Sequence, residues 1–147
     1  MEQRFESFTA LITKISRSIR KIKNQEMQEY NLRAPHISCL YYLYCNRSLT
    51  ATELCERCEE DKATISRTLD YLEENGYIIC ESKAQKRYKS PLSLTEKGEE
   101  VGEKIYQRVN GVLEQVGKGL SEEERVSFYR CLTIISNDLE GVIKKIK

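Results

Sequence analysis

Phe5, Phe8, Ile12, Ile15, Ile19 and Ile22 recur three and four residues apart, which predicts an amphipathic first helix that packs on other helices. Its polar side carries Lys14, Arg17, Arg20, Lys21 and Lys23 and reads as a solvated basic face. Pro35 suits the first turn of a second helix, where its missing N–H matters little, with Ile37, Leu40, Tyr41 and Tyr44 marking the buried side. Thr50 and Glu53 have the spacing of a capping box, in which each side chain accepts from the other's backbone amide, so a short third helix runs from about Ala51 to Cys58. Asp61 can accept from the free amides of a fourth helix, which turns Ile65, Leu69 and Leu72 inward and ends at Gly76. At 100° per residue the opposite face of that helix presents Ala63, Arg67 and Asp70, flanked by Thr64, Ser66 and Tyr71, with Lys62 projecting from the first turn.

The period then changes. Tyr77 to Ser82 and Pro91 to Thr95 read as two short strands around KAQKRYK, a stretch with four positive charges and no negative one. Pro91 removes a strand donor, which an edge hairpin tolerates. From Thr95 a long helix follows, with Val101, Ile105, Val109, Val112 and Val116 on one side, ending near Gly117 to Gly119. Ser121 and Glu124 form a second capping box, opening a last helix striped by Phe128, Cys131, Leu132, Ile135, Leu139, Val142 and Ile146.

This order predicts a mainly α fold with a small β wing: a winged helix-turn-helix with N- and C-terminal dimerisation helices. Two short helices around a tight turn, the second exposing its N-terminal polar residues, are built to set that second helix in a major groove. A basic hairpin beside it can reach phosphates or the neighbouring minor groove. The residues expected on DNA are Lys62, Ala63, Thr64, Ser66 and Arg67 of the helix and Lys83, Lys86, Arg87, Tyr88 and Lys89 of the wing. Striped helices at both ends leave more apolar surface than one small domain buries, so the chain is expected to be a homodimer.

Composition narrows the function classes. With 147 residues the chain fits one domain, residues 1–147: dimerisation helices at about 1–33 and 119–147, the winged lobe at about 34–98 and a linking helix at about 95–118. A net charge of +1 leaves the choice to charge distribution, and no apolar run approaches a membrane span or a secretory signal, so a cytoplasmic location without membrane attachment is expected. One histidine, no glycine-rich phosphate loop and no nucleophile motif give an enzyme nothing to assemble a site around. Six cysteines include one C-x-x-C, Cys55 and Cys58, but no second pair at metal spacing; neither a metal nor another cofactor is expected. Cys39, Cys55, Cys58 and Cys131 lie on apolar stripes, where thiolate formation is disfavoured, so mild oxidation is not expected to be the main release signal.

LTATELCERCEEDKATISRTLDYLEENGYI, followed after the hairpin by LSLTEKGEE, resembles the multiple-antibiotic-resistance regulator (MarR) family over nearly the whole chain. The resemblance implies a dimeric repressor or activator that binds a palindromic operator on double-stranded DNA and is released by a small molecule or an oxidant; a repressor released by a small-molecule effector is the reading adopted. A winged-helix protein-interaction module without sequence-specific DNA binding is the alternative. The family's wing carries an acidic residue that holds an arginine, whereas Lys86-Arg87-Tyr88 offers no such acid. The first helix also lacks the cysteine that oxidant-sensing relatives place there. The resemblance further implies an effector crevice, for which Tyr30, His36, Tyr41 and Tyr44 are the candidate walls and anchors.

Overall fold

The computed structural model describes residues 4–58, 60–81 and 89–146. In chain order these form α1 (Arg4–Glu26), α2 (Ala34–Cys45), α3 (Ala51–Cys58), α4 (Lys62–Glu74), β1 (Ile78–Cys80), β2 (Leu92–Leu94), α5 (Glu96–Gln115) and α6 (Glu122–Ile146). A 3₁₀ turn, Gln28–Tyr30, leads from α1 to α2 through Asn31, whose left-handed backbone suits asparagine. The chain divides into two compact units, residues 1–108 and 109–147.

The first unit is organised around α2, which packs against α1, α3, α4 and β2. Leu40, Leu43, Leu54, Leu69, Leu72, Ile78 and Leu92 are fully buried. The inward face of α2 differs from the sequence expectation: Ile37 and Leu40 are buried as predicted, but Cys39 and Leu43 join them while Tyr41 and Tyr44 stay half-exposed. A phenol keeps its hydroxyl near water, so the tyrosines occupy the margin of the core. Met27 and Leu32, in the aperiodic connection before α2, are core residues as well.

β1 and β2 pair antiparallel, with Ile78 opposite Leu94 and Cys80 opposite Leu92. Leu49 adds a third, one-residue rung: its amide donates to the Leu92 carbonyl at 3.2 Å, and the Leu92 amide donates back at 2.8 Å. β2 therefore runs between two partners, and Leu92 is fully buried. Thr95 joins the hairpin to α5. Its amide donates to the Tyr77 carbonyl, its hydroxyl donates to the Gly76 carbonyl, and it accepts from the Gly98 amide at 3.1 Å. α5 approaches the chain here so closely that a Cβ at Gly98 would lie 2.0 Å from the Tyr77 carbonyl oxygen.

In the second unit Gly117 takes a positive φ in the turn after α5, and the Leu120 amide donates to its carbonyl at 3.0 Å. The predicted capping box starts α6: the Ser121 amide donates to Glu124 and the Glu124 amide donates to the Ser121 hydroxyl. Hydrogen bonding from Ser121, its backbone amide first and its side chain second, holds the Glu124 carboxyl below the usual carboxylate range. No described residue of α6 is buried; Val126, Phe128, Tyr129, Leu139, Val142 and Ile143 are all exposed.

Candidate nucleic-acid interface

The third and fourth helices form as their caps dictate. Thr50 and Glu53 exchange hydrogen bonds at the start of α3, the Thr50 amide to Glu53 at 3.1 Å and the Glu53 amide to the Thr50 hydroxyl at 3.2 Å. Asp61 caps α4 by accepting from the Thr64 amide at 2.6 Å, and this bond holds its carboxyl below the usual carboxylate range. Inside the first unit α4 buries Ile65, Thr68, Leu69 and Leu72. Its outward face exposes Lys62, Ala63, Ser66, Arg67 and Asp70, while Thr64 and Tyr71 are half-exposed. Arg67 donates to the Thr64 hydroxyl at 3.3 Å, which bends the guanidinium back toward the N-terminus of the helix.

The C-terminal half of α4 is held on several sides. The Tyr71 hydroxyl donates to the Asn31 carbonyl at 3.2 Å, and its ring lies 4.5 Å from that of His36. The Asn75 carbonyl accepts from Lys97 of α5 at 2.7 Å. The helix is thus fixed behind and presents a small polar surface with two cations in front, a shape suited to close approach to base edges.

The base of the wing is rigid, with the Glu81 amide donating to the Pro91 carbonyl at 2.9 Å beyond the strand pairs. Lys89 is exposed and Ser90 is buried. The other wing candidates, Lys83, Lys86, Arg87 and Tyr88, lie outside the described residues.

The basic side of α1 is more than a solvated face. Arg20 pairs with Glu60, in the turn before α4, at 2.9 Å, and Lys23 donates to Ser38 of α2 at 2.8 Å. Burial pushes the Lys23 ammonium below its ordinary range. Arg20 ties α1 to the helix-turn-helix, and Lys23 ties it to α2.

The effector candidates have distinct partners. Tyr41 and Tyr44 meet at the ring of Tyr106, with centroids 6.1 and 5.6 Å away. Tyr30 accepts from Lys104 at 3.0 Å. His36 accepts from the Arg33 amide at 3.0 Å, and burial followed by the Arg33 charge lowers its pKa, which favours the neutral imidazole. Sequence reasoning missed Tyr106 and also Arg108, which donates to Glu29 at 2.6 Å and to the Glu26 carbonyl. The helical period places both on α5, but nothing local pairs them with residues some 60 to 80 positions earlier. Among the described residues no three His, Cys, Asp or Glu side chains gather as a metal site, and no helix is long and apolar enough to cross a membrane.

This geometry has close counterparts. A sequence model of the MarR family matches residues 30–87, the stretch from the 3₁₀ turn to the wing. The chain is 23% identical over 120 residues to the HTH-type transcriptional regulator YfiV of Bacillus subtilis, an alignment covering 82% of this chain and 75% of the relative. A MarR family transcriptional regulator from Listeria monocytogenes, solved with a 26mer DNA, superposes with a TM-score of 0.80 at 27% identity over 89% of this chain and 87% of that one. Staphylococcus aureus MarR, solved with salicylate and kanamycin, gives a TM-score of 0.80 at 23% identity over 95% and 94%. With a capped, outward-facing α4, a wing base seated on Leu49 and a matched family region that takes in α2 to β1, the chain is similar in sequence and fold to the MarR family of DNA-binding transcription regulators.

Proposed function

We propose that two copies of this chain pair through the apolar stripes of α1 and α6 and set their α4 helices into successive major grooves of a palindromic operator, repressing transcription in the cytoplasm until a small molecule releases them. The observation that carries the reading is the outward face of α4. Lys62, Ala63, Ser66 and Arg67 are exposed together on a helix whose opposite side is locked into the core. Arg67 is the base reader in this scheme, since a guanidinium can pair bidentately with guanine O6 and N7. Lys62 and Lys89 serve phosphates, as do Lys83, Lys86, Arg87 and Tyr88 of the tip, where one side chain enters the minor groove.

Pairing rests on the exposed stripes: Leu11, Ile15 and Ile19 on α1, and Leu139, Val142 and Ile143 on α6, are large apolar side chains about half exposed in the single chain. The solved complex of the Listeria protein with DNA supports the duplex as partner, and that of the Staphylococcus protein with salicylate supports a small effector. Tyr41, Tyr44 and Tyr106 form an aromatic wall for such a molecule, with Tyr30 and His36 as further contacts.

Selection of bound duplexes from a random pool tests the reading. Enriched sequences should hold two inverted half-sites about one helical turn, roughly 10 base pairs, apart. Affinity should fall steeply with added salt. An unenriched pool, or a monomer by sedimentation at micromolar concentration, would refute it and favour the protein-interaction module.

A further inference from the structure

Cys58 is the last residue of α3 and is half-buried, while Cys39 of α2 is 0% exposed. Their sulfurs lie 4.0 Å apart in direct contact. The two thiols are unequal. The bond shared by the two sulfurs, together with the nearby Lys23 ammonium, pulls Cys58 below the usual thiol range against the effect of burial; the same bond and burial push Cys39 up. Lys23 is held in place by its bond to Ser38. Cys55, one turn earlier on α3, is half-buried, and burial raises its pKa. The reactive arrangement therefore lies between two helices and not within the C-x-x-C.

We propose that Cys39 and Cys58 are an oxidisable dithiol that hydrogen peroxide closes into an intrachain disulfide, stapling the end of α3 to α2 and weakening duplex binding. The pair departs from the expectation that apolar placement silences these cysteines, because Cys58 combines partial access, a nearby cation and a thiol in contact with its sulfur. In the first step the Cys58 thiolate attacks a peroxide oxygen: an S–O bond forms, the O–O bond breaks, and the departing hydroxide takes a proton to leave as water. Then the Cys39 sulfur attacks the Cys58 sulfur; the S–S bond forms, the S–O bond breaks, and the leaving hydroxide takes the Cys39 proton. Two thiols and one peroxide yield one disulfide and two waters.

A disulfide requires about 2.05 Å between sulfurs, so they must close by roughly 2 Å. The displaced end of α3 lies three residues before Asp61, the cap of α4, and the segment between includes Glu60, pinned by Arg20 at 2.9 Å. Movement there shifts the first turn of α4, the part placed on base edges; this half of the inference rests on the operator reading.

The test treats the full-length protein with one equivalent of hydrogen peroxide, blocks remaining thiols and maps peptides by mass spectrometry. A Cys39–Cys58 cross-link is expected in the unsubstituted chain and in Cys55→Ser, while Cys39→Ser should stop at a Cys58 sulfenic acid that dimedone traps. A Cys55–Cys58 link, a link between chains or an unmodified Cys58 overturns the dithiol, and mapping of the unsubstituted chain decides this even if a variant fails to fold. On a duplex from the selected pool the oxidised protein should bind about tenfold more weakly and recover with dithiothreitol. A mapped cross-link with unchanged affinity overturns the regulatory half. Reduced protein that binds no duplex overturns the operator reading and that half together, and leaves the mapping to decide the dithiol.

Discussion

Leu69 on α4 and Leu139 on α6 are the same side chain in opposite situations, 0% exposed in one case and 53% in the other. The difference extends to their surroundings. In the first unit α2, α3, α4 and the hairpin bury one another's apolar side chains within a single chain, whereas α6, with seven apolar stripe positions predicted, has no buried residue among those described. Sequence periodicity has the same form in both helices, so a stripe states that a face will be covered and not by what. The winged lobe supplies its own cover; the terminal stripes await a second copy in the dimer proposed above.

The comparison is tested most severely by alanine at the two leucines. Leu69→Ala should lower the unfolding free energy by about 2–5 kcal/mol in urea titrations. Leu139→Ala should move it by under about 0.5 kcal/mol in dilute monomer, and its effect should appear as weaker self-association in sedimentation. A large loss of monomer stability from Leu139→Ala would mean that α6 is covered within its own chain.

Function sharpens the contrast next. Arg67→Ala should cost about 1–3 kcal/mol on the preferred duplex and relax one position of each half-site. Lys86→Ala should weaken all duplexes alike and lower the salt slope by about one unit for each phosphate it no longer neutralises. Competition with single-base variants separates these outcomes, and unchanged base preference in Arg67→Ala would remove that residue from base reading.

A smaller effect is expected at the start of α3. Thr50→Ala removes a cap and one half of the capping box, and should lower stability by about 1 kcal/mol in the same urea titrations. The smallest is a pH effect at His36. Its folded pKa lies below the ordinary 6.5, so stability is fully present above that value and falls as pH drops through it toward the folded pKa. His36→Asn keeps an acceptor for the Arg33 amide without a titrating ring and should flatten the stability profile between about pH 7 and pH 5.

Local chemistry made much of this fold legible. Both capping boxes, the Asp61 cap, the bounds of α3 and the two strands follow from residues within a few positions of one another. What escaped depends on distant partners: the Leu49 rung, Met27 and Leu32 in an aperiodic connection, and the bonds from Lys23 and Arg108. The α2 tyrosines misled because their rings look apolar in a pattern while their hydroxyls hold them at the margin. The contact between Cys39 and Cys58 escaped for the same reason as the distant bonds, because it joins two helices and not two positions of the C-x-x-C. At the site, the α4 face was legible because it is the complement of a well-marked apolar stripe, whereas Tyr106, which joins Tyr41 and Tyr44, was not.

Leu49 and Thr50 are adjacent, yet they hold different structures: Leu49 exchanges two backbone bonds with Leu92 of the wing, and Thr50 caps α3. One residue inserted between them would force a choice between seating the wing and starting the helix at its proper place, since both anchors are set by backbone bonding. The number of residues at this junction is therefore held as tightly as the Thr50 side chain that caps α3. Length is fixed here by hydrogen bonds on both sides of a single peptide link.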